Sequence, residues 1–435
     1  MREKPLQVHV TTMGCSKNLV DSEVLMGRLQ AAGYKIVHQD AMDKADVAII
    51  NTCGFIEDSI IENIRQIMDI GNAKNHGLVD KVIVMGCLVE RFKGQLEQEI
   101  PEVDRFYGVD DIETILHDLG ADYRKELLGE RMLTTPSHYA YLKIAEGCDR
   151  NCSFCTIPSI RGKNTSKTIE ELVGEADYLA STGVKELILI AQDSTRYGVD
   201  IYGKSRLADL IKALENVTGI NWIRLQYTYP DKSLYEVLKV MKESNKLCHY
   251  LDIPLQHINN KVLQSMKRGH TGKVIRDLLD AFRSEIPDIA IRTTMITGYP
   301  AEDEAAFDEL KQFIQKYRFE RLGVFAFSAE EGTSAAKLKE TVPDEIKEKR
   351  ISEIMEIQQH ISKELNLEKV GTYYTALCDR KEGDTWVMRS QYDSPEVDTE
   401  IFVKDHQDIA TGGFYKIYIT ASDEYDLYGE FVEVL

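Results

Sequence analysis

The first 133 residues alternate between two patterns of hydrophobic positions. Short apolar runs typical of buried strands occupy residues 8–12, 47–51 and 82–85. Residues 19–31 and 56–70 follow the first two runs with apolar positions at helical spacing, and another helical pattern follows the third. Strand–helix alternation of this kind predicts a parallel sheet covered by helices on both faces. We therefore predict a doubly wound α/β domain over residues 1–133.

The middle of the chain repeats the strand–helix alternation six times. The predicted strands are 141–145, 186–191, 222–227, 250–253, 289–296 and 323–327. Helical patterns separate them, and a longer one begins after Pro343 and continues to about residue 367. Six such units predict an open, partial (β/α)6 barrel over residues 134–367, with its active site at the carboxyl ends of the strands.

After Gly371 the pattern changes to short apolar runs separated by turn residues. The runs are 373–378, 385–389, 401–403, 414–420 and 428–434. Short strands at this spacing predict a small β-barrel, which we assign to residues 368–435. From Gly371 onward the chain has five Lys and Arg against fourteen Asp and Glu, a net charge of −9 out of −19 for the whole chain. Such a surface repels a phosphate backbone and favours a basic protein partner.

The amino-acid composition indicates the class of protein and the compartment in which we expect it. Its 435 residues are 43% hydrophobic and 29% charged, as in ordinary globular proteins. No apolar stretch approaches the roughly 20 residues that span a bilayer, so we expect no membrane partner. Eight cysteines are too few for a disulfide scaffold in a chain of this length and suggest metal binding in a reducing compartment. We expect a cytoplasmic protein.

Three cysteines with the spacing C-x3-C-x2-C follow the first strand of the middle segment. Cys148, Cys152 and Cys155 are close enough in sequence to bind three irons of a cubane iron–sulfur cluster. The fourth iron would then be open to a small molecule, as in catalytic metal centres. The alternative is a zinc knuckle, but zinc requires four ligands and the nearest histidine, His138, lies ten residues upstream.

Three further cysteines follow the three predicted strands of the N-terminal segment. Cys15, Cys53 and Cys87 each lie at the carboxyl end of a strand, where open α/β sheets form their ligand sites. Right-handed crossovers bring these ends to one edge of the sheet, so the three thiols can converge on a second cluster. A single cysteine in such a place is usually a buried small hydrophobic residue, which is how we interpret Cys248 and Cys378.

The motif around Cys148, with Phe154 before its last cysteine, resembles the signature of the radical S-adenosylmethionine (SAM) enzymes. The segments 14–23, 51–56 and 86–88 resemble the N-terminal domain of one of its subfamilies, the methylthiotransferases, and the C-terminal segment resembles their TRAM domain. This resemblance implies two [4Fe–4S] clusters, held by Cys148, Cys152 and Cys155 and by Cys15, Cys53 and Cys87, with SAM on the open iron of the first. Ser16-Lys17 is similar to the branch that modifies a ribosomal protein, whereas the transfer-RNA branch usually has Gln-Met there.

Polar residues at other predicted strand ends resemble motifs that line the family's SAM pocket. They include Ala-Gln-Asp at 191–193, Pro-Leu-Gln-His at 254–257 and Arg-Thr-Thr at 292–294. The resemblance implies that Gln192, Asp193, Arg292 and Gly298 bind the cofactor. Any one of them is also an ordinary polar loop residue. Ala301 stands where relatives often have glycine, which changes the local turn and not the chemistry.

The resemblance implies a function as well as a fold. It predicts transfer of a methylthio group to the β-carbon of an aspartate in the small-subunit ribosomal protein S-twelve. That C–H bond is unactivated, so its cleavage requires a radical from a cofactor. The predicted partners are this basic protein and an electron donor such as flavodoxin or ferredoxin, and we expect a monomer. Two alternatives remain: methylthiolation of an adenosine-derived base in transfer RNA, and a non-catalytic electron carrier with two clusters or a metal-bound interaction module.

Overall fold

A computed structural model describes residues 6–38, 44–121 and 130–435 of the chain. These residues form an N-terminal five-stranded sheet, six parallel strands in two neighbouring sheets, and a closed C-terminal barrel. The mixed α/β fold class predicted from the sequence is confirmed.

The N-terminal sheet is fully parallel, with strand order β2-β1-β3-β4-β5. Its strands are β1 (Gln7–Thr12), β2 (Lys35–His38), β3 (Ala45–Thr52), β4 (Val79–Gly86) and β5 (Arg105–Tyr107). Its helices are α1 (Ser16–Ala31), α2 (Glu57–Asn75), α3 (Cys87–Glu99) and α4 (Ile112–Asp118). The sequence pattern did not predict β2 and β5, which are only four and three residues long.

Both faces of this sheet are covered, because alternate residues of each strand point to opposite sides. On β3, Val47 and Ile49 pack in one apolar cluster with residues of α1 and α4. Ala48 and Ile50 pack in a second cluster with residues of α2 and α3. Strand order reverses between β1 and β3, the point at which sheets of this topology form a ligand crevice beyond the strand carboxyl ends.

The middle of the chain contains the six predicted βα units. Its strands are β6 (Tyr139–Lys143), a short hairpin of β7 (Ala145–Glu146) with β8 (Thr165–Ser166), β9 (Glu186–Ile190), β10 (Trp222–Leu225), β11 (Tyr250–Asp252), β12 (Ala290–Thr297) and β13 (Arg321–Ala326). Its helices are α5 (Ile157–Arg161), α6 (Ile169–Ser181), α7 (Val199–Tyr202), α8 (Leu207–Leu214), α9 (Leu234–Glu243), α10 (Asn260–Ser265), α11 (Gly272–Glu285), α12 (Glu304–Tyr317) and α13 (Asp344–Lys369).

The six long strands form two parallel halves, β10-β9-β6 and β11-β12-β13. A single parallel bridge, Ile223 with Leu247, joins the strand β10 to the segment just before β11. One apolar cluster joins alternate residues of these strands, such as Leu142, Leu189 and Ile223, to the buried faces of the surrounding helices. The intervening residues, such as Tyr141 and Ile188, belong to separate clusters. Because the strands of each half are parallel, their carboxyl ends lie on one side of the partial barrel.

The C-terminal segment is a closed five-stranded barrel of order β14-β15-β16-β18-β17. Its strands are β14 (Tyr373–Glu382), β15 (Thr385–Ser390), β16 (Ile401–Lys404), β17 (Phe414–Ser422) and β18 (Leu427–Val434). Closure pairs every strand on both sides, which removes exposed sheet edges.

This C-terminal barrel packs on the amino-terminal ends of the partial-barrel strands. Glu186, the first residue of β9, receives Arg224 Nε at 2.8 Å and also pairs with Arg389 from the C-terminal barrel. Arg292 Nη1 lies 2.7 Å from Asp398 Oδ1. The interface is thus built from buried ion pairs, on the side opposite the strand carboxyl ends.

Candidate active site

All six predicted cluster cysteines line one cavity of about 370 Å³. Cys15 lies three residues after the end of β1, and Cys53 and Cys87 come directly after β3 and β4, at the carboxyl edge of the N-terminal sheet. Cys148, Cys152 and Cys155 lie in the loop between the strands β7 and β8, on the same cavity. All six are free thiols, and we name the two groups the N-terminal triad and the loop triad.

Glycines beside the N-terminal triad allow its strand ends to approach closely. Gly14 has φ +94°, and a Cβ atom there would lie 2.6 Å from Cys53 Cβ. A Cβ atom on Gly54 would lie 2.7 Å from Leu88 Cα. Asn18 joins the same ends, because its Nδ2 donates to the carbonyls of Met13 at 2.9 Å and Thr52 at 3.0 Å. Larger residues at Gly14 or Gly54 would force the thiols apart.

The loop triad is held by backbone contacts and by two arginines. Gly147 has φ +75°, and a Cβ atom there would lie 2.1 Å from the carbonyl oxygen of Lys163. The backbone N–H of Arg150 donates to Cys148 Sγ at 3.4 Å, and Arg268 Nη1 lies 3.5 Å from Cys152 Sγ.

The donor set of the cavity fits iron–sulfur clusters. Burial raises the pKa of Cys87 and Cys148 to about 11 and that of Cys155 to about 12, so a bound group has to displace protons from these thiols. Among the described residues, no three His, Cys, Asp or Glu side chains are spaced to hold a single metal ion. Each triad brings three thiols to the lining of one cavity, and thiolates are the protein ligands of iron–sulfur clusters.

A buried arginine connects the N-terminal triad to the partial barrel. Arg161, at the end of α5, donates to Cys87 Sγ from Nη2 at 3.3 Å and from Nε at 3.4 Å. Its Nη1 lies 2.9 Å from both Asp21 Oδ2 on α1 and Glu146 Oε2 on β7. Lys143 pairs with the same two carboxylates. These four charged residues tie the N-terminal sheet to the partial barrel.

Two of the four residues predicted to bind SAM line the cavity. Gln192 donates from Nε2 to Glu146 Oε1 at 2.5 Å, while its own Oε1 is buried with no hydrogen-bond partner among the described residues. Asp193 Oδ2 accepts from Arg150 Nε at 2.8 Å. Gln256 also lines the cavity, with φ +72° and a second buried, unpartnered carbonyl oxygen. Buried acceptors without donors are what a ligand with N–H groups would complete.

The other two residues predicted to bind SAM, Arg292 and Gly298, do not line the cavity. Arg292 is the third residue of β12, and its guanidinium pairs with Asp398 of the C-terminal barrel. Gly298 donates its N–H to Glu302 Oε1 at 3.0 Å, and a Cβ atom there would lie 2.4 Å from Lys347 Cγ. No contact of either residue supports the prediction that it binds SAM, so both assignments stay predictions.

Lys17, Tyr227 and Arg268 are among the cavity residues that the sequence did not identify as site residues. Lys17 and Tyr227 form a cation–π pair, with Nζ 2.9 Å from the ring centroid. Arg268 and Arg150 lie on the ring of Tyr229, at 4.2 and 3.9 Å from its centroid. Lys17 lies two residues after Cys15, a position that could have identified it. Arg268 follows a helix rather than a strand, so a search at the carboxyl ends of strands could not identify it.

Family models match three successive parts of the chain. They are the Radical SAM superfamily over residues 142–314, the Uncharacterized protein family UPF0004 over 7–108 and the TRAM domain over 370–432. Two solved structures share the fold at low sequence identity. The radical SAM methyltransferase TsrM from Kitasatospora setae has 13% identity and a TM-score of 0.55, covering 74% of this chain and 75% of that chain. The cobalamin-dependent SAM radical enzyme OxsB has 13% identity and a TM-score of 0.51, covering 82% and 56%.

Fold and site thus define a radical SAM enzyme with a second cysteine triad. Relatives named ribosomal protein uS12 methylthiotransferase RimO match nearly the whole chain. That of Flavobacterium psychrophilum is 51% identical over 99% of this chain and 100% of its own, and that of Bacteroides fragilis is 47% identical over 98% and 99%. The chain belongs to this family of uS12 methylthiotransferases, RimO, which confirms the predicted resemblance.

Membership in this family establishes the class of reaction and the cofactors. The chain is a radical SAM methylthiotransferase, a transferase, and its cofactors are [4Fe–4S] clusters and SAM. Within the described ranges, none of the helices is both long enough and apolar enough to cross a membrane.

Proposed function

We propose that this chain transfers a methylthio group to the β-carbon of an aspartate in ribosomal protein uS12, the S-twelve protein of the small subunit. The observation that carries the proposal is the single cavity lined by both cysteine triads. A sulfur carried at one triad and a radical generated at the other have to meet the same substrate carbon. Two triads on separate surfaces could not support this reaction.

Each triad is proposed to hold one cluster: Cys148, Cys152 and Cys155 the SAM-binding cluster, and Cys15, Cys53 and Cys87 the auxiliary cluster. When bound, the clusters supply the electron that cleaves SAM and the sulfur that is transferred. The protein orients these groups. Arg161 donates to Cys87 Sγ and is itself fixed by Asp21 and Glu146, so the charge beside that sulfur is preorganised.

SAM is proposed to bind against the loop triad, where the cavity offers complementary groups. Its amino group suits the unpartnered carbonyl oxygens of Gln192 and Gln256. Its carboxylate suits Arg268, which lies at Cys152 Sγ and has no carboxylate oxygen within 4.0 Å among the described residues. Asp193 holds Arg150 in place over the ring of Tyr229.

The proposed partners follow from charge and from the relatives' names. The net charge of −9 after Gly371 favours a basic protein such as uS12 over transfer RNA. We also propose an electron donor such as flavodoxin or ferredoxin, a monomeric state, a cytoplasmic location and a division into domains at residues 1–133, 134–367 and 368–435.

The proposal is tested by mass spectrometry of uS12 after anaerobic incubation with reconstituted enzyme, SAM, sulfide and reductant. A methylthio mass gain on an aspartate is expected. Two triple variants separate the triads. Replacing Cys15, Cys53 and Cys87 by Ala should remove about half of the iron and abolish the mass gain while 5′-deoxyadenosine still forms. Replacing Cys148, Cys152 and Cys155 by Ala should abolish 5′-deoxyadenosine formation itself.

Cys248→Ala and Cys378→Ala provide the matched controls, because both thiols are buried in apolar clusters away from the cavity. They should keep full iron content. A mass gain on an adenosine-derived base of transfer RNA, with none on uS12, would instead support the transfer-RNA alternative. Iron uptake without any cleavage of SAM would support the electron carrier.

A further inference from the structure

The cavity contains a buried lysine that is not paired with a carboxylate. Lys17 is only 7% exposed, and among the described residues no carboxylate oxygen lies within 4.0 Å of its Nζ. Its observed contact is the ring of Tyr227, 2.9 Å from Nζ to the centroid. A buried ammonium held mainly by an aromatic face retains much of its desolvation cost, so an anion that enters the cavity would be bound strongly.

The Tyr227 ring beneath Lys17 is held in a fixed position. Tyr227 has φ +56°, a conformation that non-glycine residues adopt rarely and that persists only when neighbours impose it. Its N–H donates to Asp252 Oδ2 at 2.9 Å, and its carbonyl accepts from Ser194 N at 2.9 Å. The ammonium of Lys17 is therefore presented at one place in the cavity rather than free to move.

The other cationic side chains of the cavity differ from Lys17, because they pair with carboxylates or lie beside the loop triad. Arg150 pairs with Asp193 and Asp231, at 2.8 and 3.1 Å. Arg161 is bound by Asp21 and Glu146. Arg268 has no carboxylate partner, but it lies at Cys152 in the loop triad. Lys17, two residues after Cys15, lies on the side of the N-terminal triad, and among the described residues no carboxylate oxygen lies within 4.0 Å of its Nζ, although Asp252 interacts with it electrostatically at longer range.

The proposed reaction brings two carboxylates into this cavity, that of SAM and that of the substrate aspartate. The aspartate β-carbon has to reach the N-terminal triad, from which the sulfur is transferred, and its carboxylate is bonded directly to that carbon. We infer that Lys17 binds the carboxylate of the aspartate to be modified and so determines specificity for aspartate. This inference rests on the proposed function.

The test is a cycle of two changes, Lys17→Met in the enzyme and Asp→Asn at the modified position of uS12. Dissociation constants are measured on anaerobic holoenzyme with SAM and without reductant, so no reaction occurs. Wild-type enzyme should bind the aspartate form about tenfold more tightly than the asparagine form, the magnitude of a charge-assisted hydrogen bond. Lys17→Met should bind both forms equally. Lys17→Arg, which keeps the charge, should retain a preference for aspartate.

Met fits beside an aromatic ring and removes a buried charge, so Lys17→Met should melt no earlier than the wild type. Its affinity for SAM should be unchanged. Lys204→Met is the matched control, because Lys204 is exposed on the partial barrel outside the cavity, and it should keep the tenfold preference.

An equal preference for aspartate in Lys17→Met and wild type would overturn the inference, as would a loss of SAM affinity in Lys17→Met. Either result can occur while wild-type enzyme still adds a methylthio group to uS12, so the proposed function would stand. Absence of that mass gain with wild-type enzyme would contradict the proposed function itself.

Discussion

The guanidinium of Arg161 donates to Cys87 Sγ from two nitrogens, at 3.3 and 3.4 Å. Arg161 belongs to the partial barrel and Cys87 to the N-terminal sheet, so this contact crosses between the two. The same guanidinium binds Asp21 and Glu146, one carboxylate from each side. The geometry of the N-terminal triad therefore depends on a residue outside the sheet that supplies its thiols.

Arg161→Met should destabilise the protein and reduce iron at the N-terminal triad. The side chain is 3% exposed, and its removal leaves two buried carboxylates with Lys143 as their shared cation. A loss of about 3 kcal/mol in the free energy of unfolding is expected for breaking a buried ion pair. Denaturant unfolding of the metal-free protein measures this loss.

Arg380→Met is the control, because Arg380 is 44% exposed and pairs with Glu382 and Glu400. This substitution should lower the free energy of unfolding by less than about 1 kcal/mol. Equal losses in the two variants would show that the network contributes no more than a surface pair.

Gly14→Ala should separate a steric effect from a backbone effect when it is compared with Gly33→Ala. Both glycines have positive φ, +94° and +95°, so both substitutions carry the backbone cost of about 1–2 kcal/mol. Only the Gly14 Cβ meets a neighbour, Cys53 Cβ at 2.6 Å, whereas nothing lies within 4 Å at Gly33. Iron analysis after reconstitution should show a deficit in Gly14→Ala alone. Full iron in Gly14→Ala would mean that the strand ends can move apart without loss of the site.

Low pH should weaken the packing of the C-terminal barrel on the partial barrel. Burial alone would raise the pKa of Asp379, but Arg389 and His138 hold it below its ordinary value. A carboxylate with a lowered pKa in the folded state contributes stability that is fully present above its unfolded pKa of about 3.9 and is lost as the pH falls through the folded value. No change is therefore expected between pH 8 and pH 5, and loss is expected below about pH 4.

Trp222 reports this interface, because its ring centroid lies 4.9 Å from that of Phe414 on the C-terminal barrel. The chain has two tryptophans, so Trp386→Phe leaves Trp222 as the single tryptophan, whose emission can be excited selectively. Its emission should shift only below about pH 4, and Asp379→Asn in the same background should flatten the acid dependence. A transition near pH 6 would instead indicate control by histidine.

Gln256→Leu and Arg292→Met should affect different properties. The first should weaken SAM binding, and the second should lower the stability of the fold. Gln256 Oε1 is a buried acceptor in the cavity, so its removal should raise the dissociation constant for SAM about tenfold. Arg292 contacts Asp398 in the C-terminal barrel, so its removal should lower the free energy of unfolding and leave SAM affinity unchanged. Equilibrium binding and denaturant unfolding of both variants measure the two effects. A loss of SAM affinity in Arg292→Met would support the prediction made from its sequence motif.

The N-terminal triad could be predicted from the sequence because one rule of topology brings strand carboxyl ends together, whereas the loop triad was predicted from its C-x3-C-x2-C spacing. Cys15, Cys53 and Cys87 could be grouped from their positions after three strands, without knowledge of any contact. The same rule does not account for the observed contact of Arg292, whose assignment to SAM binding stays a prediction. Its predicted strand, 289–296, is close to the observed β12, but Arg292 lies near the start of that strand and faces the opposite end of the barrel. Its partner, Asp398, lies 106 residues later, a pairing that no local pattern encodes.

The sequence gives the net charge of the C-terminal segment but not which of its carboxylates are buried, and this distinction required the structure. Asp379, Asp393 and Asp398 count toward its net charge, yet each is buried against an arginine or histidine of the fold. Part of the acidity that indicated a basic partner therefore holds the barrel in place. Exposed carboxylates such as Asp384 and Glu430 remain on the surface, where a basic partner protein can reach them.

The contact between Arg161 and Cys87 also constrains the order in which a nascent chain can assemble. Arg161 is translated 74 residues after Cys87 and 140 after Asp21. The amino-terminal sheet can thus leave the ribosome before its counter-charge has been synthesised, with Asp21 still hydrated. Only when residue 161 has emerged can that sheet acquire its contact with Arg161, so the N-terminal triad reaches its final geometry after synthesis of the partial barrel has begun.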